Sequence, residues 1–183
     1  MTRFILLVFG LFSLITNSAG QSQPLASSIP AGFSILDSAS GDINKDGKKD
    51  LLVILKNDLE DTNGDTARPL LILLGTEKGL YDLAGRNDSV VLCKSCGGVF
   101  GDPYAGITIK NNFFSIEHYG GSNWRWSRII TFRYDLKGKQ VLLHRDAGDS
   151  FHTSDPNKTT TNIHNKEDFG KLLFSNYSYS KGW

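Results

Sequence analysis

Asp42-Ile43-Asn44-Lys45-Asp46-Gly47-Lys48-Lys49-Asp50 runs without a break into Leu51-Leu52-Val53-Ile54-Leu55, and the reading of this stretch decides the fold. Oxygen-bearing side chains occupy its first, third, fifth and ninth places, with glycine at the sixth. Alternating acceptors on a tightly curved loop can converge on one hard cation, and Gly47 frees the backbone for the sharp turn this requires. Calcium accepts oxygens in a flexible geometry and suits such a loop better than magnesium, which wants a near-ideal octahedron. The expected ligands are the side chains of Asp42, Asn44, Asp46 and Asp50 and the backbone carbonyl of Lys48. A polar Asx-rich turn between two strands is the plain alternative. An EF-hand needs Glu at the twelfth place, which here holds Val53, and the exit is an apolar β-type run rather than a helix. The loop therefore points to a β-framework.

Calcium loops that pass straight into a strand are a feature of the FG-GAP repeats of integrin-type propellers and of the related VCBS repeats. The segment from Ser40-Gly41-Asp42 to Asp50-Leu51-Leu52-Val53 resembles their D-x-[DN]-x-D-G-x-x-D-L core. The resemblance covers one repeat, about residues 40–55, and implies a calcium-binding β-module. Asp61-Thr62-Asn63-Gly64-Asp65 is a partial echo that lacks the Asp-Gly step and the following carboxylate.

Outward from this loop the chain reads as strand and turn nearly throughout. Gly32–Leu36 enters the loop, and Pro69-Leu70-Leu71-Ile72-Leu73-Leu74 is a continuous apolar run of the kind found in buried central strands. Leu80–Leu83 and Ser89–Leu92 read as short strands. Ile107–Lys110 and Phe113–Tyr119 flank Asn111-Asn112 as a hairpin, and Trp126–Tyr134 with Lys139–His144 flank a second turn. Lys171–Phe174 is a candidate closing strand. Thr153–Asn165 reads as an exposed loop, and Lys166–Gly170 offers one helical turn at most. The expectation is an all-β antiparallel meander of hairpins with little helix, built as a barrel, a sandwich or a partial propeller.

The N-terminus has Arg3, an apolar run from Phe4 to Ile15, then Ser18-Ala19-Gly20, the pattern of a secretory signal peptide over residues 1–20. A flexible lead is expected over 21–31 and a single all-β domain over 32–183, a normal size for one core. The chain carries 20 Lys+Arg against 19 Asp+Glu, and loss of Arg3 with the signal would balance them. Near-neutral charge argues against capture of nucleic acid or anionic lipid, and no membrane span is expected in the mature chain. Cys93 and Cys96 are the two cysteines. They fit a local disulfide in an oxidising compartment, half of a zinc knuckle, a redox pair or inert thiols. Sequons stand at Asn87, Asn157 and Asn176.

Tyr119-Gly120-Gly121-Ser122-Asn123-Trp124-Arg125-Trp126 combines glycine freedom with large amphipathic rings. Trp124 and Trp126 share one face of a strand, where they either fill core or, if exposed, stack on a sugar or a cation. Tyr119, Trp124, Arg125 and Trp126 are the candidate ligand-binding residues. Glu117, His118, His144, Asp146, Asp149 and His152 are titratable, but no nucleophile elbow, His-Glu-x-x-His pair or phosphate-cradling loop accompanies them. The sequence thus reads as a secreted or periplasmic calcium-binding β-module with a binding role rather than a catalytic one. Its partner would be a protein or glycan of the cell envelope or exterior. A secreted hydrolase or enzyme accessory and a carbohydrate-binding module using Trp124 and Trp126 are the alternatives.

Overall fold

Two open antiparallel meanders make up the described part of the chain, residues 22–180 of a computed structural model. The first sheet runs β1 (Phe33–Gly41), β2 (Asp50–Asn57), β3 (Arg68–Gly75) and β4 (Tyr81–Val91). The second runs β5 (Tyr104–Lys110), β6 (Phe113–Gly121), β7 (Trp124–Asp135), β8 (Gln140–His152) and β9 (Asp155–His164). In both sheets each strand pairs with its sequence neighbour, and neither sheet closes into a barrel. The helix α1 (Lys166–Phe169) and three short 3-10 turns are the other elements. The all-β expectation holds.

Side-chain alternation explains how the sheets meet. Leu52 and Ile54 of β2 and Leu70 and Ile72 of β3 share one core with Phe114, Ile116, Ile130, Phe132, Val141 and Leu143 of the second sheet. Val53, Leu55, Leu71 and Leu73 point the other way and are covered by Leu25, Ile29, Phe33 and Tyr81. The central strands of the first sheet are thus buried on both faces, which is why Pro69–Leu74 is continuously apolar. Tyr104 at the start of β5 donates from its hydroxyl to Asp37 Oδ2 of β1 at 2.8 Å, tying the sheets along one side.

Four expectations need correction. The lead over 21–31 is not a free tether where described: Gln23 and Tyr81 exchange two backbone hydrogen bonds of 2.9 Å, and Leu25 and Ile29 lie on the first sheet. Thr153–Asn165 is mostly β9, an edge strand paired with β8 and exposed along nearly its whole length. Without a buried face it has no hydrophobic alternation to read, only β-branched threonines. Leu80–Leu83 and Ser89–Leu92 belong to one long strand, β4, with register shifts against β3. Lys171–Phe174 contributes only an isolated bridge, Leu142 to Leu173, before a 3-10 turn. The Asn111-Asn112 hairpin is as read, with Asn111 at φ 55°, a left-handed conformation that Asn tolerates.

Cys93 and Cys96 form a disulfide, with Cα atoms 5.1 Å apart, just past β4. Both sulfurs are therefore taken. The partial echo at 61–65 fastens this small loop: Ser95 N–H donates to Gly64 O at 3.1 Å, and Lys94 pairs with Asp61 at 2.5 Å. The expected signal peptide lies outside the described residues, among which no helix is long and apolar enough to cross a membrane.

Candidate functional site

The 42–50 loop joins β1 to β2. Lys45 and Gly47 take positive φ, 59° and 84°, and so fold the loop back on itself. Its acceptors bind its own backbone in nested Asx turns. Asp42 receives Asp46 N–H at 3.1 Å and Gly47 N–H at 2.9 Å, and Asp46 receives Lys48 N–H at 2.9 Å. That last bond holds the Asp46 carboxyl below the usual carboxylate range. Asp50 is fully buried and accepts from Ile43 N–H at 2.8 Å, Asn44 N–H at 3.3 Å and Gly75 N–H at 2.9 Å. Burial pushes its carboxyl upward against those bonds. One buried carboxylate therefore pins β1, β2 and β3 at a single point.

The donor set of the loop is all oxygen and suits a hard cation. Its convergence is another matter. Among the described residues, no three His, Cys, Asp or Glu side chains stand together as a metal-holding group. Asp42, Asp46 and Asp50 are each turned to backbone amides instead.

A second feature lies where the second sheet outruns the shared core. β7 and β8 are 12 and 13 residues long against 8 for β2 and β3. The shared core includes Ile130, Phe132 and Tyr134 of β7 but stops short of Trp126 and Arg128. The inner face beyond it forms an open cleft of about 490 Å³. β7 supplies Trp126 and Arg128, β8 supplies Asp146, Gly148 and Ser150, β9 supplies Asn162 and His164, and Tyr179 closes one side. Trp126 lies across Gly120 on the neighbouring strand, where a methyl group would come within 2.6 Å of the indole. That glycine lets the ring rest on the sheet. Trp124, 61 % exposed, stands at the outer end of the same face, edge-on to His152 at 5.2 Å.

Between cleft and core runs a set of buried polar groups. Arg128 makes two bonds to Asp146, Nε to Oδ1 at 2.7 Å and Nη2 to Oδ2 at 2.6 Å, and a third from Nη1 to Tyr179 O at 3.1 Å. Its guanidinium lies over the Tyr179 ring at 4.2 Å. The Tyr177 hydroxyl also donates to Asp146, at 2.8 Å, and burial together with that carboxylate pushes the phenol upward. His118, 2 % exposed, accepts Leu92 N–H on Nε2 at 3.3 Å, so its proton resides on Nδ1, which has no hydrogen-bond partner among the described residues. Burial, with Arg128 and Arg68 nearby, pushes this imidazole down to about 4.

On the far side Arg68 is wholly buried. Nε and Nη2 bind Glu60 at 2.7 and 2.8 Å, and Nη1 and Nη2 bind Asp102, each at 2.7 Å. Nη1 also reaches Leu92 O at 3.3 Å, so all five guanidinium N–H groups are used. Burial alone would raise Asp102, but the Arg68 bond outweighs it and holds that carboxyl low.

The four residues expected to bind ligand do not act from one surface. Trp124 and Trp126 face inward to the cleft end. Tyr119 and Arg125 lie on the opposite face, where Phe100 meets the Tyr119 ring at 5.7 Å and the Arg125 guanidinium at 3.7 Å. Strand alternation separates Arg125 from its neighbours, and Tyr119 pairs across to Ser127, an outward position. The titratable candidates are also dispersed. His118 is interior, Glu117 faces outward, and His144 packs on Phe113 at 4.9 Å. Asp149 accepts from Thr161 at 2.5 Å, and His152 is held by Ser154 at 2.6 Å. Asn87 of the first sequon is buried, its amide donating to Phe174 O at 2.6 Å and Tyr177 O at 2.8 Å, so the folded chain does not present it for glycosylation. Sequence reasoning missed Arg68, Arg128, Asn162, His164 and Tyr179. Set against protein-family models, curated proteins and solved structures, the chain finds no match in any of the three.

Proposed function

We propose that the protein is a binding module of the cell exterior or envelope that receives its ligand in the Trp126–Arg128 cleft. In this reading the 42–50 loop takes calcium as a structural ion. The observation that carries the reading is the cleft itself: an aromatic platform beside the two spare N–H groups of Arg128, the Asn162 amide and the Ser150 hydroxyl, left open where the shared core ends. Its volume lies in the range of about 300–1,000 Å³ common for ligand sites, and such sites pair a hydrophobic surface with a few oriented polar groups. The disulfide suits an oxidising exterior compartment. Calcium, drawing Asp42, Asp46 and Asp50 together, would offset the burial of Asp50 and stiffen the joint of β1, β2 and β3.

Two experiments test this. In binding assays against envelope glycans and exported peptides, Trp126→Ala removes binding while Tyr119→Ala retains it. The reverse pattern overturns the assignment of the cleft. In thermal melts of the mature chain, calcium at 100 times its dissociation constant adds about 2.7 kcal/mol of stability, and Asp46→Ala abolishes the gain. Equal melting temperatures in calcium and in EDTA overturn the structural ion.

A further inference from the structure

The chemistry of the cleft, on the reading that it is the binding site, narrows the class of ligand. We infer that it takes a neutral saccharide, one ring lying on Trp126 and its hydroxyls meeting Arg128, Asn162 and Ser150. Three observations lead there.

The platform comes first. Trp126 rests against Gly120, where any Cβ would come within 2.6 Å of the six-membered ring, so the half-buried indole forms part of the cleft wall. Flat aromatic surfaces favour ligands with an apolar ring face and polar edges. A pyranose, with axial C–H bonds on one face and hydroxyls around its rim, has that shape.

The second is the balance of charge. Arg128 and Asp146 are held against each other by two bonds, so the cation at the cleft is already compensated. Asp149 alternates to the outer face, where it accepts from Thr161, and brings no charge into the cleft. An anionic ligand therefore finds no uncompensated guanidinium here to draw it in, whereas a neutral one needs none.

The third is the hydrogen-bonding inventory. Arg128 uses three of its five N–H groups, which leaves one on Nη1 and one on Nη2, with the side chain 20 % exposed at the cleft. Asn162 brings an amide donor and acceptor, and Ser150 a hydroxyl that does both. A mixture of donors and amphoteric groups is matched by hydroxyls, each of which gives one hydrogen bond and accepts others. Asn162 stands on an exposed edge strand, where it supports no packing.

The test is calorimetric titration of the mature chain with hexasaccharides of glucose, xylose and N-acetylglucosamine, with oligogalacturonate as the acidic probe and a library of exported-protein peptides beside them. The expected result is binding of at least one neutral hexasaccharide, weakened tenfold or more in both Trp126→Ala and Asn162→Ala, and unchanged in Tyr119→Ala. Circular dichroism checks that each variant is folded. Because Asn162→Ala removes only an exposed amide, it keeps the test decisive should Trp126→Ala fail to fold. Binding of oligogalacturonate alone, dependent on Arg128, would overturn the neutral class and leave the cleft standing as a site. Peptide binding lost in Trp126→Ala, with no saccharide bound, would likewise overturn the saccharide and keep the cleft. Absence of binding to every probe would overturn both.

Discussion

Arg68 and Arg128 point into the same space from facing sheets, and each grips a carboxylate with two nitrogens, yet they do different work. Arg68 has all five N–H groups bound and no exposed surface, closed in by Glu60, Asp102 and Leu92 O. Arg128 is held on one side by Asp146 and Tyr179, keeps two N–H groups in hand and opens on the cleft. The chemistry of the side chains is alike. What differs is which strand end the following segments cover. The loop past the disulfide seals Arg68, while among the described residues it is the Tyr177–Tyr179 stretch that leans on Arg128. A guanidinium sealed on all sides fixes structure, and one sealed on three of its five donors can also recognise a ligand.

The comparison is broken most readily by removing each arginine in turn. Arg68→Met leaves Glu60 without its cation in a buried setting, beside a part-exposed Asp102, and is expected to lose about 3–5 kcal/mol in urea unfolding, as broken buried pairs do. Arg128→Met leaves the buried Asp146 with the Tyr177 hydroxyl among its remaining partners, and the expected loss is about 1–3 kcal/mol. Equal losses for the two variants would erase the distinction.

His118, between the two arginines, sharpens it further. Its folded value of about 4 lies below its ordinary 6.5, so the unfolded chain binds the proton first as pH falls. The stabilisation it gives is complete above pH 6.5 and is lost progressively down to about pH 4, with a total of about 3 kcal/mol. His118→Gln keeps an acceptor for Leu92 N–H and removes this dependence. Matched unfolding curves at pH 7 and pH 4.5 give the difference between the two proteins, and no difference would place His118 outside the buried pair of cations. Reduction of Cys93–Cys96 closes the series of larger effects at about 2 kcal/mol, because the loop it closes is so short. Tyr119→Ala, on the outward face, is expected to change stability by less than about 0.5 kcal/mol, and a larger loss would show that face to be structural.

The sequence announced those parts whose cause is local. The apolar run at 69–74 marked a strand buried on both faces, Asn111-Asn112 marked a hairpin, and the Asp42–Asp50 spacing marked the loop between β1 and β2, read as a calcium loop with an Asx-rich turn as the alternative. The two-residue period even held the answer at Trp124-Arg125-Trp126, since alternate residues must face opposite ways. The rest depends on register between distant segments. Nothing near Arg68 says that Glu60 and Asp102 will both arrive, and Asn162 reads as loop polarity until β9 pairs with β8. Tyr179 joins the cleft because distant β4 ties the segment back: Asn87 holds the carbonyls of Phe174 and Tyr177, and Tyr179 N–H donates to Ser89 O at 3.2 Å. Such pairings are set by the whole fold and leave no pattern within any one window of sequence.

The most direct test of the central claim is hydrogen exchange at the arginine side chains, followed by nitrogen-15 NMR of the guanidinium groups with and without the bound hexasaccharide. The account predicts that Arg68 exchanges slowly in both states, while Arg128 exchanges rapidly at Nη alone and slows when the saccharide is added. Equal protection of the two guanidinium groups in the free protein, or an Arg128 unaffected by saturating ligand, would contradict it.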